Sequence, residues 1–147
     1  MRYSEARLGR VFVLRLEDGD IVHETIERFA EEQGITAASL IAVGGADHGS
    51  RLVVGPKDDR GLPILPMQRE LDHAHEVAGV GTLFCDPDGV PLVHMHMACG
   101  RQGETITGCI RPGVKTWQVL EVIMHELVDS SARRALEQPL NLKLLQP

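Results

Sequence analysis

The sequence predicts an α+β fold: a mostly antiparallel β-sheet flanked by one main helix and a short C-terminal helix. Six or more segments are predicted strands, and several of them show the period of two that is typical of strands. One long stretch, which begins after Asp20, has instead the 3.6-residue period of an amphipathic helix. Short Gly-, Pro- and Asp-containing turns join the strand segments and favour hairpins. A chain of 147 residues fits one domain spanning residues 1–147.

The N-terminal elements are a strand and the main helix. Residues 10–16 are dense in Val and Leu and predict the strand, which ends in a turn at Glu17-Asp18-Gly19. Asp20 is the expected N-cap of the helix, and Gly34 is the expected left-handed residue at its end. The helix is predicted to bury one apolar face, made of Val22, Ile26, Phe29 and Ala30.

The next segments predict an internal strand and a hairpin partner for it. Residues 37–46 form a run of small apolar side chains, as expected for a strand covered on both faces. Gly44-Gly45 within this run predicts a bulge or a close approach of another backbone. Residues 51–54 follow a turn and are predicted to pair with this strand. The polar, Pro- and Gly-rich residues 55–63 predict a loop.

Further strands are predicted at residues 67–71 and 76–84, with another after the central hairpin. Residues 116–128 are compatible with a helix, but we expect one long strand with Leu120, Val122 and Met124 on one face. Residues 130–137 predict the short C-terminal helix, with Arg133 and Arg134 on its outer surface. Leu140, Leu142 and Leu144 alternate and predict a closing strand.

The central feature of the sequence is a predicted hairpin over residues 91–111. Its two strands are separated by residues 100–103, Gly-Arg-Gln-Gly, which suit a tight reversal. If Gly100 and Gly103 flank the turn, Cys99 lies opposite Glu104 and His94 lies opposite Cys109. In this register one face is apolar or Gly throughout, and the other carries polar side chains. The polar face is predicted to carry His94, His96, Thr107 and Cys109.

The polar face of this hairpin is a candidate metal site. Histidines at i and i+2 of a strand point to the same side, and a cysteine across the ladder could supply a third ligand. His94, His96 and Cys109 therefore predict a divalent metal, with zinc the first choice. The alternative is that they are merely polar residues on a solvated or subunit-facing strand. A second His-x-His pair, His73 and His75, has no evident third ligand, and we expect it to line a pocket or support the site together with Glu76 and Thr107.

Composition and charge limit the partners. The formal net charge is −6 and aromatic residues make up 3% of the chain, which disfavours direct binding to nucleic acid. The N-terminus has no signal-peptide pattern, and no apolar run has the length of a membrane span. The three cysteines lack the spacing of a disulfide framework and suggest a reducing compartment, so we expect a cytoplasmic protein.

The order of these parts resembles the PPC (plants and prokaryotes conserved) domain over nearly the whole chain. The most specific likeness is a His-x-His strand, His94-Met95-His96, followed by a hairpin and Gly108-Cys109-Ile110. The resemblance also covers Gly44-Gly45, His75-Glu76, Gly81-Thr82-Leu83 and the turn at Asp88-Gly89.

This resemblance implies an antiparallel sheet flanked by helices, assembly as a homotrimer and, in prokaryotic members, a three-histidine metal site that is typically zinc. Two of those histidines match His94 and His96. The third falls on Cys109, which is itself a competent zinc ligand once deprotonated. The chain has no Arg-Gly-Arg-Pro segment like that of plant AT-hook proteins, so minor-groove binding to DNA is not implied.

Three functions remain open at this point. The first is a trimeric domain that binds a metal or a small-molecule ligand, with no assigned chemistry. The second is a zinc-dependent enzyme that uses metal-activated water, with Glu76 or Glu104 as the base. The third is a DNA-associated regulatory protein, which the acidic balance opposes.

Overall fold

The fold is built on one large antiparallel sheet. The computed structural model describes residues 1–147. Eight strands form the sheet in the order β1-β8-β2-β5-β6-β7-β3-β4, and β9 and β10 form a separate hairpin. The elements are β1 (Arg7–Glu17), α1 (Val22–Gln33), β2 (Ala37–Ala46), β3 (Arg51–Pro56), β4 (Pro66–Glu70), β5 (His75–Cys85), β6 (Pro91–Arg101), β7 (Glu104–Cys109), β8 (Thr116–Val128), β9 (Arg133–Glu137) and β10 (Leu142–Gln146).

The two faces of the sheet differ in what covers them. We call the inner face the one that carries Met95 and Met97 of β6, which are 1% and 0% exposed. The buried residues of α1, Val22, Ile26 and Ala30, belong to the same apolar cluster as these methionines. The outer face is the opposite one, and it carries the exposed side chains of β6. A helix on one side alone explains why β6 alternates so regularly between buried and exposed residues.

The main helix agrees with the sequence-based prediction at its end and differs slightly at its start. Gly34 is left-handed, with φ 66°, as predicted. Ile21, rather than Asp20, occupies the N-cap position. The Asp20 carboxylate accepts a hydrogen bond from the Glu17 N–H instead, so it stabilises the turn before the helix. None of the helical segments has the length and apolar character that crossing a bilayer demands.

The predicted long strand is confirmed as β8, and it shows why β2 needs glycine. Leu120, Val122 and Met124 are fully buried on one face of β8. A Cβ atom on Gly44 would lie 2.4 Å from the carbonyl oxygen of Val119, and the β2–β8 register shifts just after this residue. The predicted bulge with close backbone approach is therefore present.

The predicted hairpin between residues 37–46 and 51–54 is wrong. β2 lies between β5 and β8, so both of its edges are already paired. β3 pairs instead with β4 and, through Val53 and Cys109, with β7. The turn that follows β2 is tied to the start of β8, since the Asp47 N–H donates to the Lys115 carbonyl. Sequence proximity misled here because the neighbours of β2 come from distant parts of the chain.

The predicted C-terminal helix over residues 130–137 is also wrong. These residues contain β9, which pairs with β10 in an antiparallel hairpin from Arg133↔Gln146 to Glu137↔Leu142. The predicted closing strand is present as β10. Arg134, expected on the outer surface, is 4% exposed, and its Nη2 donates to the Thr82 hydroxyl at 2.8 Å. Tertiary contacts with β5 thus override a local pattern that suits a helix.

Candidate metal centre and adjoining cavity

The central hairpin forms with a tighter turn than predicted. Gln102 and Gly103 make a two-residue turn with φ 53° and 86°, and Arg101 lies opposite Glu104. His96, rather than His94, is therefore the partner of Cys109 across the ladder. The predicted register was wrong by two residues. Because side chains alternate with a period of two, this shift leaves every residue on the face to which it was assigned.

The structure brings His94, His96 and Cys109 together on the outer face. Their candidate ligand atoms, one from each side chain, all lie within 4.8 Å of one another. The two imidazole rings are 5.1 Å apart between centroids and nearly perpendicular, at 81°. Both histidines are exposed and Cys109 is half-buried. The arrangement follows from the strands, since His94 and His96 are two residues apart on β6 and Cys109 faces them from β7.

The surroundings of His94 favour its uncharged form. Partial desolvation lowers the pKa of His94, and the positive charges of Arg134, His96 and Arg111 lower it further. A neutral imidazole has the free lone pair that a metal requires. Burial raises the pKa of the Cys99 thiol to about 11. Cys99 lies on the inner face in the core, so it is a packing residue and not a ligand.

The second His-x-His pair lies away from this cluster. His75 is 7% exposed at the start of β5, and its Nδ1 lies 2.8 Å from the carbonyl oxygen of His73. His73 precedes the strand and is exposed. His75 is five residues from Val80, the β5 partner of His96, which corresponds to roughly 17 Å along the strand. The structure therefore does not place either residue in the pocket near His94 and His96.

Of the other predicted supporting residues, only Thr107 is near the cluster. Thr107 lies on β7 opposite Ala98, two residues from Cys109 on the same face. Glu76 pairs with Gly100, four residues or roughly 13 Å along β6 from His96. Glu104 is at the turn, roughly 17 Å from Cys109. Neither carboxylate is positioned to act as a base at the three-residue cluster.

The outer face carries an apolar row that the sequence-based reasoning did not identify. Strand pairing aligns Val13 of β1, Ile41 of β2 and Val80 of β5 in one line that leads to His96 and Cys109. These three aliphatic side chains are 78%, 52% and 66% exposed. A lone exposed aliphatic residue is ordinary, but a row of exposed aliphatic residues bordered by polar side chains is typical of an interaction surface. The row becomes visible only once the register of four strands is known.

A cavity beside the cluster is likewise absent from the sequence-based predictions. It has a volume of about 380 Å³ and lies between the β9–β10 hairpin and the sheet. His94 and Cys109 line it, together with Arg111, Arg134 and Lys143. Because residues 130–137 were expected to form a helix with Arg134 outside, no local signal placed these cations near the histidines.

The fold and site together define a class: a small antiparallel-sheet protein with a His-Cys cluster on an exposed face. The chain belongs to the Plants and Prokaryotes Conserved (PCC) domain family, whose family model matches residues 3–128. The predicted resemblance is therefore confirmed. A segment of the Bifunctional protein GlmU of Synechococcus sp. (strain JA-3-3Ab) is 30% identical over 131 residues, which is 88% of this chain and 19% of that protein. The chain thus spans about a fifth of the length of this curated relative.

Solved structures support the same assignment. The metal-containing protein AF0104 of Archaeoglobus fulgidus is 28% identical, with a TM-score of 0.83 and all of both chains covered. A plant- and prokaryote-conserved (PPC) protein of Pyrococcus horikoshii is 21% identical, with a TM-score of 0.85, 100% of this chain and 98% of that chain covered. A protein of Bacteroides thetaiotaomicron described as a candidate DNA-binding protein is 13% identical, with a TM-score of 0.76 and 96% of each chain covered. At these last two identities the likeness is one of fold.

Proposed function

We propose that this PCC-domain protein binds a divalent metal ion, zinc in the first place, through His94, His96 and Cys109. The observation that carries the proposal is the convergence of two imidazoles and a thiol, with all three ligand atoms within 4.8 Å of one another. The 28% identical archaeal protein is described as metal-containing, which adds support. Imidazole and thiolate together suit zinc better than the oxygen-preferring ions magnesium and calcium.

The cluster fits the dimensions of a zinc site after a small closure. Zinc bonds of roughly 2.0–2.3 Å at tetrahedral angles put neighbouring ligand atoms roughly 3.3–3.6 Å apart. The largest separation here is at most 4.8 Å, so the ligand atoms need to approach by no more than roughly 1.5 Å. Rotation of the exposed His94 and His96 side chains can provide this movement without shifting the strands. Three protein ligands leave a position open, where a bound zinc would act as a Lewis acid toward a small molecule.

The metal content of the purified protein tests this proposal. We expect about one divalent metal per chain in the wild-type protein, and its loss in the double variant His94→Ala/His96→Ala. The matched control is His48→Ala/His73→Ala, which removes two exposed histidines outside the cluster. Elemental analysis that finds equal metal in both double variants, or none in the wild-type protein, would contradict the assignment.

We propose further that the protein assembles as a homotrimer, as the family resemblance implies. The exposed row of Val13, Ile41 and Val80 supports the existence of a subunit contact on the outer face. Native mass spectrometry should give three times the chain mass of 16.1 kDa. A monomer or dimer mass would refute this expectation. We propose a cytoplasmic location, because the free cysteines Cys85, Cys99 and Cys109 fit a reducing compartment.

A nucleic-acid function is favoured only by the description of distant structural relatives such as the Bacteroides protein. The net charge of −6 opposes it, because affinity for a phosphate backbone comes mainly from clustered Lys and Arg. We expect no mobility shift of random duplex DNA at about 0.15 M salt. A shift that weakens steeply with added salt would show that DNA binding is part of the function.

A further inference from the structure

The cavity between the β9–β10 hairpin and the sheet is positively charged. Three of its ten lining residues are cations and none is a carboxylate. The cations come from two separate parts of the chain, the segment after β7 and the C-terminal hairpin. These cations are Arg111, Arg134 and Lys143.

The guanidinium of Arg134 is buried without a counter-charge. The residue is 4% exposed, its Nη2 donates to Thr82 Oγ1, and its buried Nε has no hydrogen-bond partner. Neither Arg134 nor Arg111 makes an ion pair within the chain, whereas Lys143 pairs with Asp86 at 2.8 Å. A buried N–H that lacks an acceptor is costly, and it is more so on a charged group. A buried arginine without an acceptor, beside a second cation, is typical of a site that takes an anion from outside the chain.

We propose that this cavity binds the anionic group, a carboxylate or phosphate, of a small molecule that also carries an apolar part. Arg134 and Arg111 supply the charge and donors for the anion, and guanidinium groups suit carboxylate and phosphate geometry. Val53, Ile64 and Leu144 supply apolar wall for the remainder of the molecule. A cavity of about 380 Å³ has the volume of a small-ligand pocket.

The cavity adjoins the proposed metal centre, so a small molecule bound in it would lie next to the metal. His94 and Cys109 line the same cavity, so a molecule held by the arginines lies beside two of the three metal ligands. This part of the inference rests on the proposed function, whereas the arginine contacts do not require the metal. Arg134 and Lys143 lie beyond residues 3–128, the segment matched by the family model. The anion contacts thus come in part from a hairpin outside the matched segment.

Calorimetric titration of the full-length, metal-free protein with inorganic phosphate and with butanoate tests the proposal. We expect at least one anion to bind with a dissociation constant on the order of 1 mM. Arg111→Gln, a change at an exposed residue, should weaken this binding about tenfold. Arg28→Gln is the matched control, an exposed arginine on α1, and should bind as the wild-type protein does. If butanoate is the ligand, it should bind about tenfold more tightly than acetate because of the apolar wall.

Arg134 is tested directly by the side-chain Nε–H resonance in a nitrogen-15 correlation spectrum. This resonance should move on addition of the bound anion, and Arg134→Gln should abolish binding. Because Arg134→Gln is a buried change that could prevent folding, the wild-type spectrum and Arg111→Gln decide the matter by themselves. Weaker anion binding in Arg111→Gln, together with a shifted Arg134 Nε–H resonance in the wild-type protein, supports the proposal.

The same titration with zinc-loaded protein distinguishes failure of the anion-site proposal from failure of the metal-site proposal. Anion binding that appears only with zinc and is unchanged in Arg111→Gln would overturn the arginine site and leave the metal site standing. Binding of neither anion in either form would also overturn it. Anion binding by a wild-type protein that takes up no zinc when zinc is supplied would contradict the metal assignment and leave the arginine site intact.

Discussion

Substitution of Gly108 by alanine tests how closely β3 and β7 must approach to place Cys109. Gly108 precedes Cys109 on β7, and β3 contributes Val53 as the partner of Cys109. A Cβ atom at Gly108 would lie 2.4 Å from the carbonyl oxygen of Val53 and 2.9 Å from its carbonyl carbon. The first distance is about 1 Å short of ordinary van der Waals separation. Backbone atoms cannot rotate away as a flexible side chain can, so β3 must move.

The expected cost can be compared with a neighbouring glycine in the same hairpin. Overpacking of this kind costs about 1–3 kcal/mol in the free energy of unfolding. Alanine in place of glycine returns about 0.4–1 kcal/mol by restricting the unfolded chain. At Gly100 the atom nearest to such a Cβ would be Thr105 Oγ1, at an ordinary 3.6 Å. We therefore expect Gly108→Ala to be about 2 kcal/mol less stable than Gly100→Ala.

Urea denaturation at a fixed protein concentration measures this difference, which corresponds to a midpoint about 1 M lower for Gly108→Ala. The concentration must be constant because the unfolding of an oligomer depends on it. Zinc affinity should also fall in Gly108→Ala, since the displaced β3 carries the partner of Cys109, and should be unchanged in Gly100→Ala. Equal midpoints and equal zinc affinities for the two variants would refute the reasoning about this contact.

Two further predictions concern the stability of the sheet. The hydrogen bond from Arg10 lowers the pKa of the Glu126 carboxyl from 4.5 to about 2. The ionised Glu126 therefore stabilises the fold above about pH 4.5, and this stabilisation is lost as the pH falls toward 2. Because Arg10 is half-exposed, we expect wild type to be more stable than Glu126→Gln by only on the order of 1 kcal/mol at pH 7. This difference in the free energy of unfolding should shrink below pH 4.5. A difference independent of pH would contradict this prediction. Met97→Ala, at a fully buried position, should cost about 2–5 kcal/mol, whereas Met67→Ala on β4, 43% exposed, should cost less than about 1 kcal/mol. Thermal unfolding of both methionine variants checks this, and equal losses would show that the inner face is not the core.

The sequence was most informative where structure depends on local alternation. Leu120, Val122 and Met124 recur at every second position of residues 116–128, and β8 has the predicted buried face made of these three residues. The apolar face of α1 and its left-handed Gly34 were also correctly predicted, because a helix period and a terminal glycine lie within one short segment. The family resemblance rests on similar local motifs, and it was confirmed.

Errors arose where pairing between distant segments decides the outcome. Residues 51–54 were predicted to pair with β2 because they are near it in sequence, although β5 and β8 occupy both edges of β2. Residues 130–137 suit a helix locally, but pairing with β10 and contact with Thr82 make them a strand. The hairpin register was wrong by two residues because either of two turns fits Gly-Arg-Gln-Gly, and positive φ at Gln102 and Gly103 selects the shorter one.

The orientation of His94 and His96 away from the core, with Met95 and Met97 directed into it, is contained in the order of residues along a single strand. The face on which each side chain lies does not change when the register shifts by two residues, because alternation is a property of each strand alone. The distances among His94, His96 and Cys109, and the burial of Arg134 beside them, arose only on folding. Arg134 and its partner Thr82 are 52 residues apart in the chain, and no local pattern encodes a contact over that separation.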